Sequence, residues 1–159
     1  MAKATAKQSI KFSRCLGVPS MPSLPGKEAA GQTWKAGAPL KSVAGLLTII
    51  AEGDVAGIVG VALANASGVT GKKANVCPAL NGCIFEAEFS DLTDGSNTPT
   101  QAIVFEDFGL NVTGDGKWFI DNDEAGAEQT VMVVGFKDPV GTVNPIVYFV
   151  FKDSTTIFV

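Results

Sequence analysis

Paired acids can hydrolyse a glycosidic bond, one protonating the leaving oxygen while the other activates water or attacks carbon. The chain offers two such pairs, Glu86 with Glu88 and Glu106 with Asp107. In a strand, side chains two apart share a face. Glu86 and Glu88 then line one face and Cys83, Phe85, Ala87 and Phe89 the other, which reads as a half-buried strand with a solvated outer face. The run Asp121-Asn122-Asp123-Glu124 has the oxygen ligands that calcium takes. It lacks the spaced ligands and the glycine of an EF-hand loop, so it reads as an acidic turn. Gly114-Asp115-Gly116 is a turn rather than a phosphate cradle, because no helix follows to aim a dipole at an anion. Trp34 and Trp118 are the candidate sugar platforms. Trp118 sits within the apolar stretch "KWFID" and reads as core or subunit interface.

The 159-residue chain contains no histidine. Triads built on an imidazole base are therefore excluded, and so is the commonest metal ligand. The three cysteines, Cys15, Cys77 and Cys83, lack zinc-site spacing and a fourth ligand. In the absence of a secretory signal they read as reduced, mostly buried thiols. No catalytic residue, metal ligand or cofactor is expected, and the chain does not read as an enzyme.

The elements explain what the polar residues are for. Hydrophobic residues make up 46% of the chain and glycine occurs 18 times between short apolar runs, the texture of a compact body with many turns. "LLTIIA" and "IVGVALA" read as two strands joined by a tight turn at Glu52-Gly53-Asp54. Within residues 57–68, "GIVGVALANASG", apolar residues on both faces predict a strand covered on both sides, kept thin by Gly57, Gly60, Ala62 and Ala64. Asn81-Gly82 signals a hairpin into "CIFEAEF". "AIVFEDFGL", "KWFID", "QTVMVVGF", "IVYFVFK" and "TTIFV" complete the set. The fold class is all-β, a compact barrel or sandwich of about nine or ten short strands, with no internal repeat and no convincing helix.

Charge divides the chain. Residues 1–41 carry seven basic groups against Glu28 alone, a net +6, whereas residues 42–159 carry five against fifteen acids, a net −10. Residues 1–30 show no sustained period and place Pro19, Pro22 and Pro25 three apart, along one edge of a polyproline II helix. They read as an extended basic arm attached to a β-domain of residues 31–159. Its candidate partner contacts are Lys3, Lys7, Lys11, Phe12, Arg14, Leu16, Pro19, Met21, Pro22, Leu24 and Pro25. Scattered charges with few aromatics make nucleic acid a weak candidate partner, and an acidic protein surface fits the charge equally well. No apolar run is long enough for a membrane helix or a signal peptide, so a non-secreted, non-membrane protein is expected.

"GQTWKAGAPL" (31–40), then "IVGVALANASG", then the "NG-IFEAEF" strand and "VVGFKDPVGTVNPIVYFVF" occur in an order that resembles the decoration (cement) proteins of tailed-bacteriophage capsids. The resemblance covers residues 31–159. It implies a small β-barrel or β-tulip protein made in the host cytoplasm and carried on the capsid exterior. Its partners would be the major capsid protein and its own copies, a homotrimer favoured over a dimer. A second reading is a β-sandwich binding module, such as a carbohydrate-binding or head- or tail-fibre domain. That reading requires a shallow aromatic groove at Trp34 or Trp118.

Overall fold

The computed structural model describes residues 6–17, 19–51, 54–93, 95–123 and 128–157. The fold is all-β, with eleven strands among the described residues. They are β1 (Lys11–Cys15), β2 (Leu24–Lys27), β3 (Pro39–Val43), β4 (Leu46–Ile49), β5 (Ile58–Ala62), β6 (Lys73–Pro78), β7 (Cys83–Ser90), β8 (Asp107–Val112), β9 (Trp118–Asp121), β10 (Val131–Phe136) and β11 (Ile146–Phe151). Strands β7, β11, β10, β8 and β9 form a closed barrel, sealed where β9 runs parallel to β7 through Phe89–Ile120 and Ser90–Asp121. Strands β2, β6, β5, β3 and β4 form the second sheet. A single parallel bridge, Glu28–Leu47, brings its two ends together.

The two sets of five share one connectivity. Numbered in chain order within each set, the strands lie side by side as first, fifth, fourth, second, third. All four of these pairings are antiparallel, and the first and third strands then meet in parallel. Residues 24–78 and 83–151 are thus two copies of one topology. No sequence repeat announces this, because strand pairing fixes hydrogen bonds and burial but not residue identity.

The barrel is filled by aromatic side chains. Phe85 stacks on Phe149 at 5.8 Å between centroids and meets Phe151 edge-on at 5.2 Å. Phe89 meets Phe108 edge-on at 4.9 Å. Each such pair contributes about 0.5–1.5 kcal/mol beyond the area it buries. In the second sheet β5 is buried along its whole length, as the Gly/Ala-rich sequence requires. Gly60 explains the thinness: a Cβ built there would lie 2.1 Å from the Cys77 carbonyl oxygen.

Several expectations change. Strands β4 and β5 are not a hairpin, because β3 lies between them and pairs with both. The tight turn is Ala44-Gly45, where both residues have positive φ, joining β3 to β4. Glu52 and Gly53, the expected turn, lie outside the described residues. Asn81-Gly82 is a turn, but it connects the two sheets and pairs no hairpin. Gln101–Ile103 is a 3-10 turn, so the strand expected at 102–110 begins only at Asp107. "TTIFV" contributes one bridge, Thr156–Ile58, after a 3-10 turn at Asp153–Thr155. Residues 11–15 and 24–27, expected within an arm apart from the body, are strands of the two sheets.

Candidate partner-binding surface

Lys7 and Gln8 lie against the acids of β7, so those acids do not face solvent. Glu88 is fully buried and Glu86 nearly so. The Lys7 N–H donates to Glu88 Oε2 at 2.6 Å, and Gln8 Nε2 donates to Glu86 Oε1 at 3.4 Å. Lys137 Nζ closes on both Glu86 oxygens at 2.8–2.9 Å. Among the described residues Glu88 Oε1 has no hydrogen-bond partner. Burial pushes the Glu88 carboxyl above its ordinary pKa, with the Asp138 charge in support. The Lys7 N–H and the Lys7 and Lys117 charges oppose this without reversing it. Glu88 is thus held by the Lys7 backbone, and Glu86 by Gln8 and Lys137, instead of standing on a solvated face.

The sign of the pH effect follows. A carboxyl whose pKa is raised by folding favours the folded state most below its unfolded pKa, and that contribution is lost as pH rises through the folded value. Glu88→Gln is therefore expected to gain stability relative to wild type between about pH 4 and about pH 8. Urea midpoints of both proteins at the two pH values check this, and an equal difference at both would contradict it.

Glu28 behaves oppositely. It is buried where the second sheet meets its own end, and burial alone would raise its pKa. The Ser67 and Gly68 N–H groups and the Ser67 hydroxyl donate to it at 2.9–3.0 Å. With the Lys72 charge, they hold it below the ordinary range. Its contribution is present above the unfolded pKa and lost as pH falls through the folded one.

The acidic turn is held by donors around Asp121. Burial raises the pKa of Asp121, whose oxygens accept from Leu92 N, Asp123 N and Asn111 Nδ2 at 3.0–3.2 Å. Glu124 lies outside the described residues. Among the described residues no group of three or more Cys, Asp or Glu is placed to hold a metal. The two indoles line one cleft with Lys35 and Asp115, but Trp34 and Trp118 are only 3% and 2% exposed. Both belong to the hydrophobic core, and Trp34 Nε1 donates to the Ala64 carbonyl at 3.2 Å.

Cysteine requires a correction. Cys15 and Cys83 stand opposite each other on β1 and β7 and form a disulfide, leaving Cys77 as the buried free thiol. The expectation of three reduced thiols rested on compartment, whereas strand register brings this pair within bonding reach.

The expected arm residues are distributed by the sheets. Lys3 lies outside the described residues. Lys7 also reaches the Asn144 carbonyl at 3.2 Å. Lys11 is exposed on β1, while Phe12 turns inward and meets Phe85 edge-on at 6.1 Å. Arg14 lies over the Tyr148 ring at 5.6 Å, a cation–π contact of about 0.5–1 kcal/mol at an exposed site. Pro19, Met21, Leu24 and Pro25 are exposed, and Pro22 is half-buried. Leu16 is 70% exposed.

Leu16 marks the edge of a feature that sequence reasoning missed. On the outer face of the barrel an apolar groove of about 460 Å³ is lined by Leu16, Ile84, Met132, Val134 and Val150. Val150 pairs with Met132, and Met132 with Asp107, so the groove crosses neighbouring strands. The Lys152–Asp107 ion pair stands at its rim. Beside it, Phe105 is 71% exposed with φ +69°, a region bulky residues rarely adopt. Its N–H donates to the Val133 carbonyl at 2.7 Å, and the Val133 N–H donates to Glu106 O at 3.1 Å. The alternation in "VMVV" and "IVYFV" shows which residues point outward, but not that three strands align them.

No protein-family model matches the chain, and no curated protein matches it in sequence. Among the described residues no helix is long and apolar enough to cross a membrane.

Proposed function

We propose that this chain is a structural virion protein that binds the outer surface of an assembled tailed-phage capsid and stabilises it. The observation that carries this reading is the groove lined by Ile84, Met132, Val134 and Val150, apolar at its floor and charged at its rim. Interfaces commonly combine an apolar centre with a polar surround. The order of motifs between residues 31 and 159 supports the same reading, as does a body built on a closed barrel. Binding to a symmetric shell needs a stiff scaffold and one modest contact repeated at every equivalent position. In this account the partner is the major capsid protein, the site is the capsid exterior, and copies of the chain associate, as trimers rather than dimers.

Met132→Glu tests the surface. Met132 points outward and is only half-buried, so the fold tolerates a carboxylate there, while a docked partner would bury that charge beside a lysine, Lys152, already paired with Asp107. A loss of about 3 kcal/mol, more than a hundredfold in affinity for bare heads, is expected. Equal binding by both proteins would remove the groove from the interface.

A further inference from the structure

We propose that the Cys15–Cys83 bond is a redox latch on the groove: its reduction frees residues 14–16 from the groove wall while the barrel stays closed, and docking weakens. Control of docking rests on the groove being the capsid contact, whereas the local opening does not. The bond is built into the wall. Leu16 follows Cys15, Gly82 and Ile84 flank Cys83, and all three line the groove. Leu16 is exposed, and its N–H donates to the Gly82 carbonyl at 3.0 Å.

The register shift between Phe12 and Arg14 divides β1 into two differently held parts. Before the shift, Phe12 packs edge-on against Phe85. The Ser9 hydroxyl donates to the Gly37 carbonyl and accepts from the Trp118 N–H, both at 3.2 Å, which ties this part to both sheets. After the shift only Arg14–Ile84 and Cys15–Cys83 are paired, with the Arg14 contact to Tyr148 and the Leu16 N–H in support. The next strand begins at Leu24. Two edge pairs without a cross-link belong to the low-stability end of a fold. The barrel does not depend on them. It closes through β7, β11, β10, β8 and β9, and β9 meets β7 at Phe89 and Ser90, at the other end of β7 from Cys83.

A dithiol reductant supplies the electrons. One of its thiolates attacks a sulfur of the bond and releases the other cysteine as a thiolate, leaving a mixed disulfide. Its second thiol attacks that species and closes a cyclic disulfide. The reductant is oxidised, Cys15 and Cys83 are reduced, and the two protons of the dithiol end on the two cysteines. Burial pushes the Cys77 thiol up to about 12, which keeps it out of the exchange. By linkage, a shell that binds the oxidised form more tightly makes the bond harder to reduce by the same factor.

Hydrogen exchange on the full chain, before and after treatment with dithiothreitol and with thiols counted, tests the opening without a capsid. In the reduced chain the Leu16 amide is expected to exchange at least about tenfold faster than in the oxidised chain, while the amides of β10 and β11 remain protected. The Cys15→Ser, Cys83→Ser double variant should show the same pattern without reductant. A Leu16 amide as protected in the reduced chain as in the oxidised one would overturn the proposal. So would loss of protection throughout the barrel, or a folded chain whose bond resists the dithiol. Binding to bare heads is the second readout, and the reduced chain is expected to bind about tenfold more weakly. Equal affinity of the two forms, with Met132→Glu still weak, would overturn control of docking and leave the groove reading standing. Heads that bind neither form would sink the shell reading, and exchange alone then decides the latch.

Discussion

Replacing Gly60 with Ala is expected to cost about 3 kcal/mol or more, the upper end for overpacking, and to leave little folded protein at 37 °C. The added Cβ would lie 2.1 Å from the Cys77 carbonyl oxygen and 2.8 Å from Pro78 Cα. Both are backbone atoms of β6, the strand paired to β5, so no side chain can rotate out of the way. Relief would require β5 and β6 to separate and lose ladder hydrogen bonds. Gly135→Ala is the control. Its Cβ would meet only the Tyr148 ring, at 3.9 Å, an ordinary contact. Chemical denaturation of both variants checks the contrast, and a Gly60→Ala protein as stable as Gly135→Ala would contradict it.

Reducing the Cys15–Cys83 bond is the second large effect. The cysteines are 68 residues apart in sequence. Closing a loop of that length removes about 4 kcal/mol of chain entropy from the unfolded state. For a chain of this size, losing it lowers Tm by about 8–16 °C. The local reason is that β1 is an edge strand held by one neighbour, and the bond fixes its end beside the turn at Gly82. Thermal melts with and without reductant, with thiols counted, give the answer. An unchanged Tm with both thiols free would show that β1 holds its place without the bond.

Strands whose apolar residues are close in sequence were the legible ones. Strands β5, β9, β10 and β11 fall within the stretches that composition marked as extended. The inner face of β7 was readable from the spacing of Phe85, Ala87 and Phe89. Its outer face was not, because the cover over Glu88 comes from Lys7, 81 residues away. Pairing was equally hidden. Nothing in "LLTIIAEGDVAGIVG" reveals that β3 separates β4 from β5, since partner choice depends on non-local packing. The strand expected at 102–110 failed at Phe105, where positive φ breaks the alternation on which the expectation depended. The basic N-terminal segment was recognised as distinct in charge. Its place on the edges of both sheets was not, because β1 carries a register shift between Phe12 and Arg14 and β2 contains Pro25. A bulge and a proline both weaken strand periodicity while protecting exposed edges. The candidate surface was the least legible part, since Ile84, Met132 and Val150 come together only through three-strand register.

In the proposed function the protein binds an assembled shell and not its dissociated subunits. Any such ligand must stabilise the shell by mass action, by about 2.7 kcal/mol per site at a hundredfold excess over its dissociation constant. The most direct measurement is the rupture temperature of purified heads lacking the protein, before and after it is added back. The account predicts that added protein raises the rupture temperature until the sites are filled, and that Met132→Glu at the same concentration does not. Bare and protein-treated heads that rupture together, at concentrations where wild-type protein is bound, would contradict it.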